Sequence, residues 1–115
     1  MTNIENSKNV SPTQMVIYQL KNMIDYHFTK SEWVYLAYAY LYPKDFKDRL
    51  VNELIVTNRY TVNNMTAKFT KLKLISCTKI PGSRARKYSL SPLFNYIKLD
   101  KELVYSMHLI LNDDN

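Results

Sequence analysis

Basic side chains that could bind an anion are concentrated in one part of the sequence. The only glycine of the chain, Gly82, follows Pro81 and stands just before Arg84, Arg86 and Lys87. Because proline fixes its own φ and glycine accepts backbone angles that other residues resist, this dipeptide predicts a tight turn. Branched residues before the turn and alternating polar and apolar residues after it favour strands. The sequence therefore predicts a β-hairpin with a basic tip.

The charge of the chain is unevenly distributed along its 115 residues, for which the formal net charge is +6. Between Glu53 and Asp100 there are nine basic residues and no acidic one, so this stretch carries +9 and the rest of the chain −3. Clustered Lys and Arg side chains displace counterions from a phosphate backbone, so the pattern favours nucleic acid as the partner. A solvated basic face, or a face that binds an acidic protein, has the same charge pattern.

A second group of candidate residues lies on one face of a predicted helix. In TVNNMTAKFTKLKLI, apolar residues at steps of three and four predict an amphipathic helix that is capped at Thr61 or just before it. The opposite face suits the DNA major groove, because Asn can pair with adenine, Thr and Ala can contact the thymine methyl, and Lys can reach phosphate or guanine. This face carries Asn63, Asn64, Ala67, Thr70 and Lys71, with Lys68 at its edge.

Three more helices are predicted upstream, and they must position these candidates. Apolar residues at helical steps predict a first helix from Thr13 to about Tyr26. The stretch TKSEWVYLAYAYLY predicts a second helix that is buried on several sides, with a cap at Thr29 or Ser31 and a stop at Pro43. The stretch KDFKDRLVNELIVT predicts a short third helix. Its apolar stripe comprises Phe46, Leu50, Val51, Leu54 and Ile55.

Residues 46 to 93, FKDRLVNELIVTNRYTVNNMTAKFTKLKLISCTKIPGSRARKYSLSPL, resemble the winged-helix regulators of the MarR and Sar type. They are also similar to the winged-helix adaptors that bind plasmid centromeres in TubR-type partition systems. The likeness lies in the order of helix, turn, recognition helix ending in Lys-Leu-Ile, strand, basic wing and YSLSP, and it covers under half of the chain. It implies a winged helix-turn-helix, mainly α with a small β-hairpin wing.

The resemblance implies that the recognition helix enters the major groove and that the wing tip reaches the adjoining minor groove or backbone. The resemblance assigns the reading of bases to Asn63, Asn64, Ala67, Thr70 and Lys71. It assigns the contacts made by the wing to Ser83, Arg84 and Arg86. Lys87 is expected to contact phosphate from its strand. The other predicted DNA contacts are Arg59, Thr61, Lys68 and Lys79.

Two positions depart from the family pattern. Many relatives have glycine after the recognition helix where this chain has Lys73, so we expect a different entry into the following strand. Sar-type wings often carry an acidic residue before the arginine, and none stands before Arg84.

The C-terminal stretch SPLFNYIKLDKELVYSMHLILNDDN predicts a long helix after Pro92, with more apolar surface than one small core needs. In the resembling families the terminal helices join two subunits, and a two-fold dimer sets two recognition helices about one DNA turn, ~34 Å, apart. We therefore expect a homodimer, the alternative being a helix that packs on its own chain. The predicted dimer contacts are Val16, Leu20, Tyr96, Leu103, Met107 and Ile110.

Residues for enzymatic chemistry are sparse. One cysteine and two histidines do not form a zinc-binding spacing, and one glycine cannot build a phosphate-binding loop. We expect no enzymatic activity, no cofactor and no metal. Cys77 sits in a predicted strand, where a small buried residue is expected. The polar N-terminus and the lack of an apolar run of ~20 residues predict a cytoplasmic protein.

These patterns predict a flexible arm over residues 1–12 and a single winged-helix domain over residues 13–115, with terminal helices at a dimer interface. The leading functional hypothesis is a dimeric transcriptional regulator, a repressor that occupies an operator in double-stranded DNA. An alternative is a partition adaptor that coats centromere repeats and recruits a motor protein. A third is a winged helix that binds an acidic protein. A small-molecule effector is a further predicted partner.

Overall fold

The computed structural model describes residues 11–99, in which four α-helices precede a two-stranded antiparallel hairpin and a short 3₁₀ helix. The elements are α1 (Pro12–Met23), α2 (Lys30–Leu41), α3 (Phe46–Asn52), α4 (Arg59–Lys71), β1 (Ile75–Lys79), β2 (Arg86–Leu90) and the 3₁₀ helix (Pro92–Tyr96). The prediction of a mainly helical chain with one small hairpin is confirmed at this level.

The start of α1 is fixed by a reciprocal cap. The Gln14 amide donates to the Ser11 hydroxyl, and the Ser11 amide donates to the Gln14 side chain, with Pro12 in the first helical position. Ser11 and Pro12, which were predicted as part of the arm over residues 1–12, therefore form the start of α1, and residues 1–10 lie outside the described residues. The helix also ends at Met23 rather than near Tyr26, because Ile24 is already extended.

Helix α2 forms the centre of the core. Thr29 and Glu32 cap it reciprocally, and every side chain from Glu32 to Ala39 is buried. Its Tyr35 ring lies 5.3 Å from the Phe46 ring of α3 and 4.9 Å from the Phe69 ring of α4, measured between centroids. The prediction of a helix buried on several sides is confirmed.

Helix α3 is shorter than predicted. After Asn52 the chain turns through Leu54, whose φ of 60° is left-handed, and the amides of Leu54 and Ile55 donate to the Val51 and Leu50 carbonyls. These bonds close the helix end in a Schellman motif. Leu54 is consequently 85% exposed, so its predicted place on the buried apolar stripe is wrong.

Helix α4 begins before its predicted cap. The Asn58 side chain accepts a hydrogen bond from the Thr61 amide at 2.9 Å, so Asn58 is the cap and Thr61 lies within the first turn. Val62 and Phe69 are fully buried, which confirms the inward face. At the other end Lys73 takes φ 63° and supports a second Schellman motif, in which the Leu74 amide donates to the Phe69 carbonyl.

The hairpin follows the predicted turn. Cys77 lies opposite Tyr88, and Lys79 lies opposite Arg86. At the tip, Gly82 has φ 74° and the Ser83 amide donates to the Ile80 carbonyl at 3.1 Å. Proline followed by a residue with positive φ is the sequence of a type II turn. A single glycine is therefore used where the backbone must be left-handed at the hairpin tip.

Residues 92–99 depart from the predicted long helix, and the rest of that prediction lies outside the described residues. The chain forms a 3₁₀ helix from Pro92 to Tyr96 and is extended at Ile97, which buries Phe94 and Ile97 in the core. The Gln19 side chain then exchanges two hydrogen bonds with the Lys98 backbone, at 2.7 and 2.8 Å. These contacts hold the extended conformation beside α1.

The predicted dimer contacts have mixed outcomes. Val16 and Leu20 are fully buried in the core of their own chain, so assigning them to a subunit interface was wrong. Tyr96 is 74% exposed, but it ends a 3₁₀ helix rather than beginning the predicted ridge. Leu103, Met107 and Ile110 lie outside the described residues.

Candidate nucleic-acid interface

A groove of about 730 Å³ lies between α4 and the hairpin. It gathers five of the residues singled out in the sequence, which are Asn63, Ala67, Thr70, Lys71 and Arg86. Its other lining residues are Lys47, Thr66, Cys77 and Tyr88. Within residues 11–99, no aspartate or glutamate lines this groove. The concave surface is therefore polar and basic, which suits an anionic partner.

The α4 side of the groove is the exposed face of that helix. Asn63, Ala67 and Thr70 line the groove at steps of four and three, while Asn64 is exposed outside the lining. The Thr70 hydroxyl donates to the Thr66 carbonyl at 2.7 Å, which leaves its methyl group available for apolar contact. The Thr61 hydroxyl donates to the Asn58 side chain at 3.2 Å and so helps to cap the helix.

The alternation of side chains along β2 determines which of them line the hairpin side of the groove. Successive side chains of a strand point to opposite faces, so Arg86 and Tyr88 share the groove face and Lys87 lies on the other. Residues directly opposite in the ladder share a face, which places Cys77 beside Tyr88 and Lys79 beside Arg86. The Lys87 side chain is thus on the face away from the groove.

The hairpin tip is exposed to solvent. Arg84 is exposed, and the Ser83 hydroxyl accepts a hydrogen bond from the Ala85 amide at 3.0 Å. Ser83 therefore has a structural role in shaping the turn. Neither residue is among those that line the groove.

Two predicted DNA contacts pair with carboxylates of the same chain. Arg59 forms an ion pair with Asp48 of α3, and Lys68 Nζ lies 2.5 Å from Glu32 Oε2 of α2. Acidic residues from outside the basic stretch thus fold back against it. The lack of acidic residues between Glu53 and Asp100 therefore does not leave these two cations without a carboxylate partner, since spacing in the sequence does not limit contacts in the fold.

Glu32 is a buried charged residue, with 8% of its surface exposed. Burial raises the pKa of the Glu32 carboxyl, but hydrogen bonds from Lys68 and from the Thr29 amide outweigh it and hold the pKa below its usual value. Lys68 also lies 5.3 Å from the centroid of the Phe28 ring. Its ammonium is therefore engaged in joining α4 to α2.

Lys47 and Tyr88 were missed by the sequence analysis. Lys47 Nζ donates to the Tyr88 hydroxyl at 2.6 Å and lies 4.4 Å from the centroid of the same ring. The alternation of side chains along a strand could have identified Tyr88, because Tyr88 stands two residues after Arg86 and lies on the same face of β2. No local pattern could have found Lys47, which reaches the groove from α3 across 41 residues of sequence.

A buried tyrosine supports the wall of the groove. The Thr66 hydroxyl donates to the Val62 carbonyl at 3.0 Å and lies 2.7 Å from the Tyr35 hydroxyl, so Tyr35 is the donor between the two. Burial raises the pKa of Tyr35 to about 12. This contact ties the groove face of α4 to the centre of the core.

A smaller recess of about 300 Å³ lies between the end of α2 and the 3₁₀ helix. Tyr40, Phe46 and Phe94 supply aromatic walls, and Ser91 and Asn95 supply polar groups. The small-molecule effector stays a prediction.

Two further properties concern the described residues as a set. Within residues 11–99, no three His, Cys, Asp or Glu side chains are grouped so that they could hold a metal ion. Across the same part of the chain, none of the helices has the length and apolar character needed to cross a membrane.

Comparison of the chain with protein-family models, with curated proteins and with solved structures found no match.

Proposed function

We propose that this chain is a winged-helix protein that binds double-stranded DNA, with α4 in the major groove and the β1–β2 hairpin at the adjoining minor groove. The observation that carries this proposal is the groove itself. It joins the amide and threonine face of α4 to Arg86 and Tyr88 of β2, and no carboxylate lines it within the described part of the chain.

The electrostatics of the groove support this proposal. Lys47, Lys71 and Arg86 come from three different elements and converge on one concave surface. In the described part of the chain, none of the three forms an ion pair with a carboxylate. Lysine and arginine side chains that have no carboxylate partner can neutralise phosphates and release counterions. This release supplies most of the affinity of DNA-binding proteins.

The α4 face supports reading of base edges. Asn63 is exposed in the groove, and an asparagine side chain can donate to adenine N7 and accept from its amino group. Ala67 and the Thr70 methyl group lie on the same side and suit the thymine methyl. A preference for A·T pairs where α4 contacts the DNA follows from this composition.

We further propose that the protein acts on transcription as a repressor. A protein that occupies a selected site on duplex DNA excludes RNA polymerase from an overlapping promoter, with no catalytic group required. The homodimer expected from the sequence fits this role, because two copies of α4 would read two half-sites.

The test is duplex binding by Asn63→Ala. A preferred duplex is selected from a random pool, and affinities for it and for an unrelated duplex are measured by fluorescence anisotropy across a salt series. We expect Asn63→Ala to lose ~1–3 kcal/mol on the preferred duplex and little on the unrelated one, as for a bidentate base contact.

Asn22→Ala is the matched control, since Asn22 is an exposed asparagine of α1 that does not line the groove. It should bind both duplexes like the wild type. Absence of salt-dependent duplex binding by the wild type would overturn the proposal. Equal losses on both duplexes for Asn63→Ala would remove base reading by this residue.

A further inference from the structure

The pair formed by Lys47 and Tyr88 has the geometry of a prepared anion-binding group. Lys47 is half-buried in α3, and its Nζ atom donates to the Tyr88 hydroxyl at 2.6 Å beside the face of that ring. The side chain is thus held in one place and has already lost part of its hydration. A ligand that binds there does not have to order a flexible lysine, which lowers the entropic cost of the contact.

Tyr88 is itself fixed by its neighbours. Its ring packs edge-on against Phe46 with 5.7 Å between centroids, and Phe46 is 2% exposed. In the strand ladder Tyr88 lies opposite Cys77, on the face that lines the groove. The Tyr88 hydroxyl accepts the hydrogen bond from Lys47 and so holds the lysine beside the groove.

The charges around this pair are unbalanced. Arg86 lines the groove and lies opposite Lys79 in the ladder, although like charges directly opposite each other in a hairpin repel. Lys71 adds a further cation from α4. Among residues 11–99 no carboxylate lines the groove, so an anion bound there would relieve this repulsion.

The proposed function identifies that anion. If α4 occupies the major groove and the hairpin reaches the adjoining minor groove, the sugar-phosphate strand between the two DNA grooves must cross the gap between α4 and the hairpin. The group that meets Lys47 is then a backbone phosphate, which carries no sequence information but fixes the register of the protein.

We propose that Lys47 binds a phosphate of the DNA backbone within this groove and that Tyr88 positions Lys47 for that contact. This inference rests on the proposed function and adds α3 to the interface. It makes Lys47 a contact that contributes affinity on every sequence, in contrast to the base reading assigned to Asn63.

The experiment compares Lys47→Gln with Lys30→Gln, which removes the same charge from an exposed residue at the start of α2. Affinities for the preferred and the unrelated duplex are measured from about 0.05 to 0.2 M salt, over which the affinity of a protein that contacts phosphates falls steeply. We expect Lys47→Gln to reduce the slope of log K against log salt by about 0.9 and to weaken binding about eightfold at 0.1 M on both duplexes. Lys30→Gln should retain the wild-type slope.

Tyr88→Phe tests the positioning role, because it keeps the ring and the charge of Lys47 but removes the hydroxyl. We expect an unchanged salt slope and affinity about two- to threefold weaker, since the lysine remains charged but is less ordered. Thermal unfolding of each variant shows whether its fold is intact. A Tyr88→Phe variant with wild-type affinity would overturn the positioning role.

The two proposals fail in different ways. If the wild type does not bind duplex DNA, both are overturned. If the wild type binds and Lys47→Gln has the same slope and affinity as Lys30→Gln, only the phosphate contact is overturned and the proposed function stands.

Discussion

Two lysines in the last turn of α4 have the same chemistry and different partners. Lys68 forms an ion pair with the buried Glu32, whereas Lys71 lines the groove and has no carboxylate partner among residues 11–99. A charge that is neutralised inside the protein contributes little to phosphate binding. Of these two lysines, only Lys71 therefore remains a strong candidate for a DNA contact, although the sequence predicted a DNA contact for both.

The substitutions Lys68→Met and Lys71→Met separate these roles. Removing Lys68 leaves the Glu32 carboxylate without its cation, so we expect the free energy of unfolding to fall by about 1–2 kcal/mol, between the values of exposed and buried ion pairs. Lys71→Met should change stability by less than about 0.5 kcal/mol but weaken duplex binding more than Lys68→Met does. Urea denaturation and fluorescence anisotropy provide the two measurements, and the opposite pattern would contradict the assignment.

At the level of elements, α3 and α4 end in the same backbone motif. Each helix closes with a Schellman motif whose left-handed residue is not glycine, namely Leu54 after α3 and Lys73 after α4. A left-handed backbone costs about 1–2 kcal/mol for a residue with a Cβ atom. The chain accepts this cost at the two junctions that set the orientation of α4.

Replacing Leu54 by glycine should therefore stabilise the protein. Leu54 is 85% exposed, so its side chain contributes little packing. We expect Leu54→Gly to raise the free energy of unfolding by about 0.5–1 kcal/mol, after allowing for the greater freedom of glycine in the unfolded chain. Leu54→Ala is the control, because alanine keeps the strain, and it should not be stabilised. A loss of stability in Leu54→Gly, measured by urea denaturation, would show that Leu54 packs against another surface.

On the scale of the whole molecule, the groove depends on the core beneath it. Tyr35 is fully buried in α2, packs against Phe46 and Phe69, and donates through its hydroxyl to Thr66 of α4. One residue therefore connects three helices to the groove wall. Because burial keeps this hydroxyl protonated, the free energy of unfolding depends on pH in the alkaline range.

This linkage predicts a loss of stability above pH 10. Burial raises the pKa of Tyr35 to about 12, whereas an unfolded tyrosine titrates near 10. Between these values the unfolded chain binds fewer protons than the native one, so the free energy of unfolding falls as pH rises, by up to about 1.4 kcal/mol per pH unit from this residue.

Tyr35→Phe measures the contribution directly. At pH 7 the variant should be less stable than the wild type by about 1 kcal/mol, because it lacks one buried hydrogen bond. At pH 11 the difference should shrink to near zero, since only the wild type loses stability from this titration. Urea denaturation of both proteins at pH 7, 9 and 11 gives the comparison. A constant difference across this range would mean that Tyr35 is not linked to alkaline unfolding.

The sequence by itself determined the elements whose signals are local. The cap of α2, which the sequence placed at Thr29 or Ser31, the buried stretch of α2, the inward face of α4 and the turn at Gly82 each depend on residues a few positions apart. Their geometry is fixed by backbone dihedral preferences and by the helical period, so the pattern was sufficient. The exposed face of α4 followed from the same period, and all five of its predicted side chains, together with Lys68 at its edge, are exposed.

The tertiary structure alone decided which charges are available for binding. Lys68 pairs with Glu32 across 36 residues, and Lys47 meets Tyr88 across 41. In the folded chain Val16 and Leu20 are buried in the core, and Leu54 is exposed to solvent. Such outcomes depend on how the helices pack, because electrostatic and apolar contacts act through space. Composition and periodicity along the chain do not determine the distances between residues that are far apart in sequence. For this reason the groove can be identified only in the folded structure.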